Sequence, residues 1–415
     1  MHRMQRLLVL VITLVASAIQ GCATTNQATS TTHLTADTPA PTRFVVRGAS
    51  VVDLHTGQPA FFRGIGYSPY LPGETPLNGA APGNDERYAE HMALIGELGV
   101  NYLHVFPMRM PANFFTELDN TTLSYGQDIW IEGRSDDFLD EAFQAHTLSY
   151  IKDVIDHAYA VGRPDRLVLF SIGDELQAKG IVNTNERHAH VRNYTGKHVT
   201  ATNRTPTEVA LARLIDGAMD YELTRYGRRH LYCHTSWTHV GPITDRPDLE
   251  LPAAHALTPD IGDLMCINIY TYANGVKTSP PGSVTGTSYQ GYLEQLARST
   301  NLPIFITQVG LATSPFEPKP WVPGFGGHNV ADVPRTFESV WNDVRTARGR
   351  EKFCGLVFFE LHDEWWKSGE DPTDTTRHEE NDPEEWFGLY EIGNDNALVP
   401  KGRIPEAVRN LFRTP

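Results

Sequence analysis

The run Leu167-Val168-Leu169-Phe170-Ser171-Ile172 leads directly into Gly173-Asp174-Glu175, so a largely apolar stretch ends on two acidic side chains. Such a run, too short for a helix and without polar alternation, is typical of a strand that is buried on both faces of a parallel sheet. Seven comparable runs occur elsewhere, at residues 61–66, 101–106, 129–131, 230–233, 264–269, 304–307 and 355–359.

The segments between these runs carry apolar residues at helical spacing, as Leu148, Ile151 and Ile155 illustrate. Eight strands that alternate with helices predict an α/β fold, a closed (β/α)₈ TIM barrel that occupies residues 43–415. A short β-hairpin, 44–46 with 51–54, precedes it. An open doubly wound sheet is the alternative, but no glycine-rich phosphate loop follows the first strand.

The N-terminus has the features of an export signal. A basic start, an apolar stretch from Leu7 to Ala18 and the sequence Ile19-Gln20-Gly21-Cys22 predict a lipoprotein signal peptide over residues 1–22, with Cys22 as the lipidated residue. The apolar stretch is too short to span a bilayer, and an ordinary cleaved signal is the alternative. Residues 23–42 are rich in Ala, Thr, Ser and Pro, which predicts a flexible tether. Ala23 after the cysteine indicates the outer membrane, facing the periplasm.

Charge and cysteine content exclude several functions. The net charge is −15 and the mature part has no basic run, which argues against nucleic acid and against any membrane contact beyond the lipid anchor. The remaining cysteines, Cys233, Cys266 and Cys354, lie on separate strand-like runs and are predicted to be buried free thiols. No spacing of Cys and His predicts a metal site, and no cofactor is expected.

Polar side chains follow several of the predicted strands. Because the working residues of such barrels lie where strands end, these positions are candidates for a functional site. They are Asp174-Glu175 after the fourth strand, Tyr270-Thr271-Tyr272 after the sixth, Gln308 after the seventh, and Glu360 with Asp363-Glu364-Trp365-Trp366-Lys367 after the eighth. An acid pair at the start of a helix, where the helix dipole favours negative charge, is the structural alternative for Asp174-Glu175.

In this order the motifs resemble clan A of the glycoside hydrolases, particularly bacterial β-glycanases and glucanosyltransferases, over most of residues 43–415. The similar segments are Phe61-Phe62-Arg63-Gly64-Ile65-Gly66-Tyr67-Ser68-Pro69, Leu98-Gly99-Val100-Asn101, Asp174-Glu175, Ile267-Asn268-Ile269-Tyr270 and Phe358-Phe359-Glu360. The resemblance implies an oligosaccharide or polysaccharide substrate, with Glu175 as general acid/base and Asp174 in the place of a supporting asparagine.

Two departures from that family affect the expected mechanism. Gln308, in Thr307-Gln308-Val309-Gly310, stands where the family has its nucleophilic glutamate, and a neutral amide neither attacks the anomeric carbon well nor offsets positive charge. His104 stands where the family has an arginine. Gln308, His104, Asn268 and Tyr270 are therefore expected to contact the sugar rather than to react with it.

Three accounts remain open. Glu175 donates the proton while Glu360, Asp363 or Glu364, at roughly 6.5–9.5 Å, activates water. Alternatively, Asp174 and Glu175 act as in substrate-assisted hexosaminidases, where the acetamido oxygen of the substrate is the nucleophile. In the third account catalysis has been lost and the cleft only binds glycan. Trp237, Tyr272 and Trp365 are the expected sugar platforms, with barrel packing as the alternative.

Overall fold

The computed structural model describes residues 42–76, 80–83, 85–246, 249–270, 283–315, 326–367 and 374–413. The signal segment with Cys22, the tether before residue 42 and Tyr272 lie outside these ranges. Within them, no helix is both long and apolar enough to cross a bilayer.

Eight parallel strands close into a barrel, with the last strand paired to the first. The described strands are, in chain order, β1 (Phe44–Arg47), β2 (Ser50–Asp53), β3 (Gln58–Pro59), β4 (Phe62–Tyr67), β5 (Tyr102–Val105), β6 (Ser124–Ile129), β7 (Leu167–Asp174), β8 (Tyr194–Thr195), β9 (Thr200–Ala201), β10 (Leu231–Trp237), β11 (Met265–Asn268), β12 (Ile304–Val309), β13 (Phe353–Phe358), β14 (Tyr390–Ile392) and β15 (Leu398–Pro400). The barrel order is β4-β5-β6-β7-β10-β11-β12-β13, which confirms the predicted (β/α)₈ fold.

The described helices are α1 (Arg87–Glu97), α2 (Ala112–Asp119), α3 (Glu141–Ala160), α4 (Ala178–Arg187), α5 (Pro206–Tyr226), α6 (Ser288–Ser299), α7 (Val333–Thr346) and α8 (Ile404–Arg413). The start of α5 is fixed by a capping box, in which the Thr205 hydroxyl accepts from the backbone N–H of Glu208 and the Glu208 carboxylate accepts from the backbone N–H of Thr205. Each reciprocal bond satisfies a donor that the first helical turn leaves unpaired.

The predicted N-terminal hairpin forms and covers one end of the barrel. β1 and β2 pair antiparallel, and β3 adds a short third strand. Phe44 packs edge-on against Phe62, the first residue of β4, with ring centroids 5.3 Å apart. The hairpin therefore closes the end at which the strands begin, and the opposite end, where the strands terminate, is left to the loops.

The third barrel strand lies elsewhere than predicted. The expected run 129–131 overlaps β6 by one residue, because β6 reads Ser-Tyr-Gly-Gln-Asp-Ile and is not apolar. Gly126 and Asp128 share the interior face of this strand by alternation. A Cβ at Gly126 would lie 1.8 Å from the hydroxyl oxygen of Tyr102, so only glycine fits there. Polar residues lie on both faces of β6, with Asp128 towards the barrel interior and Gln127 on the opposite face, and a pattern based on apolar runs does not detect such a strand.

Candidate active site

The β7 strand ends in an unusual backbone conformation that carries the acid pair. Gly173 and Glu175 have φ values of 75° and 51°, in the left-handed region, on either side of Asp174. A glutamate in this region costs roughly 1–2 kcal/mol, which surrounding contacts must offset. One such contact is the backbone N–H of Glu175, which donates to the carbonyl oxygen of Thr235 on β10 at 3.2 Å.

Asn268, at the end of β11, bridges the two acids. Its Nδ2 donates to Asp174 Oδ1 at 3.0 Å and to Glu175 Oε1 at 2.7 Å. The orientation of this amide is fixed from behind, because the Thr307 hydroxyl donates to Asn268 Oδ1 at 2.8 Å. The two carboxyl groups are thus held close together by a single amide nitrogen.

Gln308, on β12, lies beside Asp174. Its Nε2 donates to Asp174 Oδ2 at 3.0 Å, and the Tyr270 hydroxyl donates to its Oε1. Both ends of the amide are therefore held. The structure brings Asp174, Glu175, Asn268, Tyr270 and Gln308 into one hydrogen-bonded group at or just after the ends of β7, β11 and β12. Their chemical roles stay predictions.

The acids of this group have raised pKa values. Burial and the neighbouring Asp174 carboxyl raise the pKa of Glu175 to about 8, so that Glu175 carries a proton at neutral pH. Burial and the Asp128 carboxyl raise the pKa of Asp174, while the amides of Asn268 and Gln308 lower it in part. Asp128 is fully buried on β6, and its burial raises its own pKa to about 7.

Glu360 belongs to a second acidic cluster in the loop after β13. Gly66 on β4 has no side chain, and a Cβ placed there would lie 3.2 Å from the Cβ of Glu360. The glycine therefore leaves room for the Glu360 side chain next to β4. Burial and the adjacent Glu364 carboxyl raise the pKa of Glu360 well above its ordinary value. Burial also acts on Glu364, but the Lys367 ammonium, 2.8 Å away, brings its pKa below the ordinary value.

The other acid named after the eighth strand is held in a structural contact. Asp363 is buried and accepts from Lys401 Nζ at 2.5 Å and from the backbone N–H of Gly388 at 2.9 Å. Lys401 in turn donates to the Thr313 hydroxyl. Asp363 thus joins the loop after β13 to the β14–β15 hairpin, and Glu364 holds Lys367.

The predicted sugar platforms lie in different surroundings. Trp237, at the end of β10, is half-buried and stacks on His239 with ring centroids 4.5 Å apart. Trp365 is half-buried and stacks on His378 at 5.2 Å, and His378 stacks on Trp386 at 3.5 Å. Tyr272 lies outside the described residues.

His104 is not part of the hydrogen-bonded group. Its ring is fully buried in the barrel, next to the Tyr102 hydroxyl at 3.2 Å and the Phe106 ring at 5.1 Å. Burial lowers its pKa to about 3, so the ring is neutral. In this structure its contacts are with barrel side chains, and its predicted contact with a sugar gains no support.

Several residues of the site were not found from the sequence. Asp128 lies on β6, the strand whose position was predicted wrongly. Thr307, which orients Asn268, is the last residue of a predicted apolar strand and was not named as a site residue. Lys367 was seen only as part of a motif, yet it is the ammonium whose charge acts on Asp174, Glu175, Glu360 and Glu364 together. In the described part of the chain no group of three or more His, Cys, Asp or Glu side chains is arranged to hold a metal ion.

The fold and this group of residues define a (β/α)₈ barrel with a carboxyl cluster at the end where such barrels carry their sites. No protein-family model and no curated protein matches the chain. Among solved structures, a GH2 β-galacturonidase from Eisenbergiella tayi, bound to galacturonate, is 12% identical with a TM-score of 0.58, and the match covers 90% of this chain and 54% of that one. This chain thus spans about half the length of that enzyme.

A second similar structure is Gas2 of Saccharomyces cerevisiae. In complex with a compound it is 15% identical with a TM-score of 0.57, covering 90% of this chain and 69% of Gas2. A Gas2p variant in complex with laminaritetraose and laminaripentaose is 14% identical with a TM-score of 0.55, covering 90% and 68%. At these identities the likeness establishes the barrel fold, and the function has to be argued from the site.

Proposed function

We propose that this protein acts on glycans by hydrolysing or transferring glycosidic bonds, with Glu175 as the general acid/base. The observation that carries the proposal is a pair of carboxyls at the end of β7, held together by Asn268, in which burial and Asp174 raise the pKa of Glu175 to about 8. A general acid must hold its proton at the working pH and release it to the leaving oxygen, and raising the pKa of a carboxyl by burial achieves this.

The rest of the group suits a sugar ring. Asn268, Gln308 and Tyr270 line the two acids with amide and hydroxyl groups, which can exchange their present hydrogen bonds for the hydroxyls of a pyranose. Trp237 and Trp365 are half-buried aromatics near strand ends, and Tyr272 is expected to join them. The galacturonidase and Gas2 complexes with galacturonate and laminarioligosaccharides support a carbohydrate as the class of ligand.

One contact favours a second candidate, a substrate-assisted enzyme for N-acetylated sugars. The Gln308 amide donates its N–H to Asp174, and its carbonyl oxygen accepts a hydrogen bond from the Tyr270 hydroxyl. An acetamido group of a substrate presents the same N–H and C=O and would need the same two partners. In this alternative Asp174 orients the acetamido oxygen for attack while Glu175 remains the acid.

A non-catalytic glycan-binding protein is the remaining alternative, and turnover separates the three. Wild type and Glu175→Gln would be incubated with β-glucans, chitin fragments and peptidoglycan, and products separated by chromatography. Glu186→Gln, at an exposed position on α4, is the matched control. Turnover by wild type and the control but not by Glu175→Gln supports the enzyme. Turnover of chitin fragments or peptidoglycan, which carry acetamido groups, but not of β-glucans supports the substrate-assisted form. Glycan binding without turnover by wild type supports the binding protein.

The cellular location completes the proposal. We infer that Cys22 is lipidated and that residues 23–42 tether the barrel to the outer membrane on its periplasmic side. Acyl chains contribute about 0.8 kcal/mol per buried CH₂, enough to hold a barrel at a membrane. Full-length protein should incorporate labelled palmitate and sediment with membranes, whereas Cys22→Ser should do neither. Equal membrane recovery of the two forms would refute the anchor.

A further inference from the structure

Position 308 carries no negative charge, so a glycosidic reaction at this site needs a carboxylate from elsewhere. Building on the proposed function, we propose that Asp174 is the second catalytic carboxyl, whose negative charge stabilises the positive charge that develops on the sugar, and that Gln308 is its positioning residue. The three following observations, on contact, competition and ionisation, support this assignment.

The contact is direct. Asp174 Oδ2 lies 3.0 Å from Gln308 Nε2, so the Asp174 carboxylate adjoins the side chain that takes the place of the usual nucleophile. The other oxygen of Asp174 accepts from Asn268, the residue that also holds Glu175. Asp174 therefore shares its partners with the proton donor and stands between that donor and Gln308.

The competing acids of the described site are bound to lysines or buried away from a substrate. Asp363 is bound to Lys401, and Glu364 is bound to Lys367. Glu360 is almost completely buried, and its carboxyl lies against that of Glu364. Asp128 is fully buried on β6, inside the barrel. Asp174 is partly exposed, and the hydrogen bonds it accepts come from two neutral amides, which leave its charge uncompensated by contact with a cation.

Hydrogen bonding also separates the two adjacent acids by ionisation. Asp174 accepts two amide N–H groups, whereas Glu175 accepts one from the same Asn268. Burial raises the pKa of both carboxyls, but hydrogen bonds to a carboxylate favour its ionised form, so Asp174 is the one of the pair that loses its proton first and Glu175 is the one that keeps it. The pair then provides one acid and one anion at the same pH, which is the division of roles that glycosidic cleavage requires.

The neutrality of Gln308 follows from this arrangement. A glutamate at position 308 would place a second carboxylate about 3 Å from Asp174, and two such groups cannot both ionise. The amide also fits the directions of the bonds, because it donates to Asp174 and accepts from Tyr270. Exchanging the two side chains, with Asn at 174 and Glu at 308, would preserve one amide, one carboxylate and every donor–acceptor match in the group.

The exchange provides the test. Asp174→Asn, Gln308→Glu, the double variant Asp174→Asn/Gln308→Glu and Glu360→Gln would be assayed with a glycan that wild type cleaves. Each single change at 174 or 308 is expected to lower kcat roughly 100-fold or more, with KM within about threefold, because charge stabilisation acts on the transition state. The double variant should recover at least about tenfold over either single variant, and Glu360→Gln should lose at least about tenfold less activity than Asp174→Asn.

The pH profile distinguishes catalysis from a structural role. The acidic limb of kcat/KM should reflect ionisation of the carboxylate, so it should move in the double variant, where the charge sits on position 308. Thermal unfolding of every variant checks that each is folded. Activity of Asp174→Asn near wild type, a double variant no better than the single ones, an acidic limb unchanged by the exchange, or loss of activity in Glu360→Gln instead would overturn the assignment.

Failure of the inference is separable from failure of the proposed function. If wild type cleaves glycan and Glu175→Gln does not, but Asp174→Asn does, only the assignment of Asp174 falls. If Gln308→Glu gains activity over wild type, position 308 is the missing carboxylate and Asp174 is not its substitute. If neither wild type nor any variant cleaves a glycan, both the proposed function and the role of Asp174 are refuted.

Discussion

The Glu175 carboxyl should determine how the reaction depends on alkaline pH. Its pKa is raised to about 8, first by burial and then by Asp174, and an acid is active only while protonated. We therefore expect kcat/KM to be level below pH 7 on this limb and to fall about tenfold per pH unit above pH 8. Rates measured from pH 5 to 10 check this, and Glu186→Gln should leave the limb in place. A limb centred below pH 6 would contradict it.

Ionisation of Glu175 should lower the free energy of unfolding of the protein. The folded pKa of Glu175 lies above the ordinary 4.5, so the folded state binds this proton more tightly than the unfolded state. The penalty is absent below pH 4, grows as pH rises and is complete above pH 8. Glu175→Gln is thus expected to raise the free energy of unfolding at pH 9 by about 1–2 kcal/mol, since the side chain is partly exposed, with little effect at pH 4. Urea titrations at both pH values measure it, and a variant less stable than wild type at pH 9 would refute it.

The barrel strands differ in how well the sequence predicts them. The runs at β4, β5, β7, β11, β12 and β13 are apolar and were placed nearly correctly, whereas the predicted run at β10 stopped four residues before Trp237. The missed part of β10 begins at His234, and β6 carries Gln127 and Asp128, so both interrupt the apolar pattern. Buried polar residues next to a functional site break the rule by which strands are recognised. The short helices α2, α4 and α8 also escaped prediction.

Gly126 shows why β6 has to depart from an apolar pattern. A Cβ there would lie 1.8 Å from the Tyr102 hydroxyl oxygen and 2.9 Å from its Cζ. Gly126→Ala should therefore lower the free energy of unfolding by roughly 1–3 kcal/mol or more, by overpacking of the interior. Adding Tyr102→Phe, which removes the hydroxyl, should restore part of it. Gly96→Ala on α1, where nothing lies within 4 Å, is the control and should be neutral or stabilising. A Gly126→Ala protein as stable as that control would contradict the packing argument.

At the scale of the whole molecule, the two ends of the barrel were unequally predictable. The hairpin that covers one end of the barrel can be predicted from the local sequence pattern, and its apolar residues Phe44 and Val51 pack into the interior cluster. The opposite end is assembled from strand ends far apart in sequence; Asp174 and Gln308, for instance, are 134 residues apart. The sequence placed these residues at strand ends, but their hydrogen-bond partners depend on barrel closure, which no local pattern contains.

A buried network away from the proposed active site ties the helical layer to the barrel. Glu222 on α5 is fully buried and accepts from the Tyr159 hydroxyl on α3 at 2.6 Å and from the Tyr232 hydroxyl on β10 at 2.9 Å. It also accepts from His230 through both the backbone N–H, at 2.9 Å, and Nδ1, at 2.5 Å. The other ring nitrogen of His230, Nε2, lies 2.7 Å from the carbonyl oxygen of Pro164, so the ring also links the segment before β10 to the segment before β7.

Removing the charge of Glu222 should destabilise the fold in a pH-dependent way. Burial raises the pKa of Glu222, but His230 and the other donors bring it below the ordinary value. The stability it contributes is thus present above pH 4.5 and is lost as pH falls through the lowered pKa. Glu222→Gln removes the buried carboxylate that accepts from Tyr159, Tyr232 and the His230 backbone, so we expect a loss of about 1.5–3 kcal/mol or more at pH 7, measured by urea unfolding. The loss should shrink as pH is lowered below 4, where wild type also loses the charge.

The control for this prediction is Glu141→Gln, whose side chain is 89% exposed and which should be within about 0.5 kcal/mol of wild type. An equal loss at every pH would mean that Glu222 acts through packing alone.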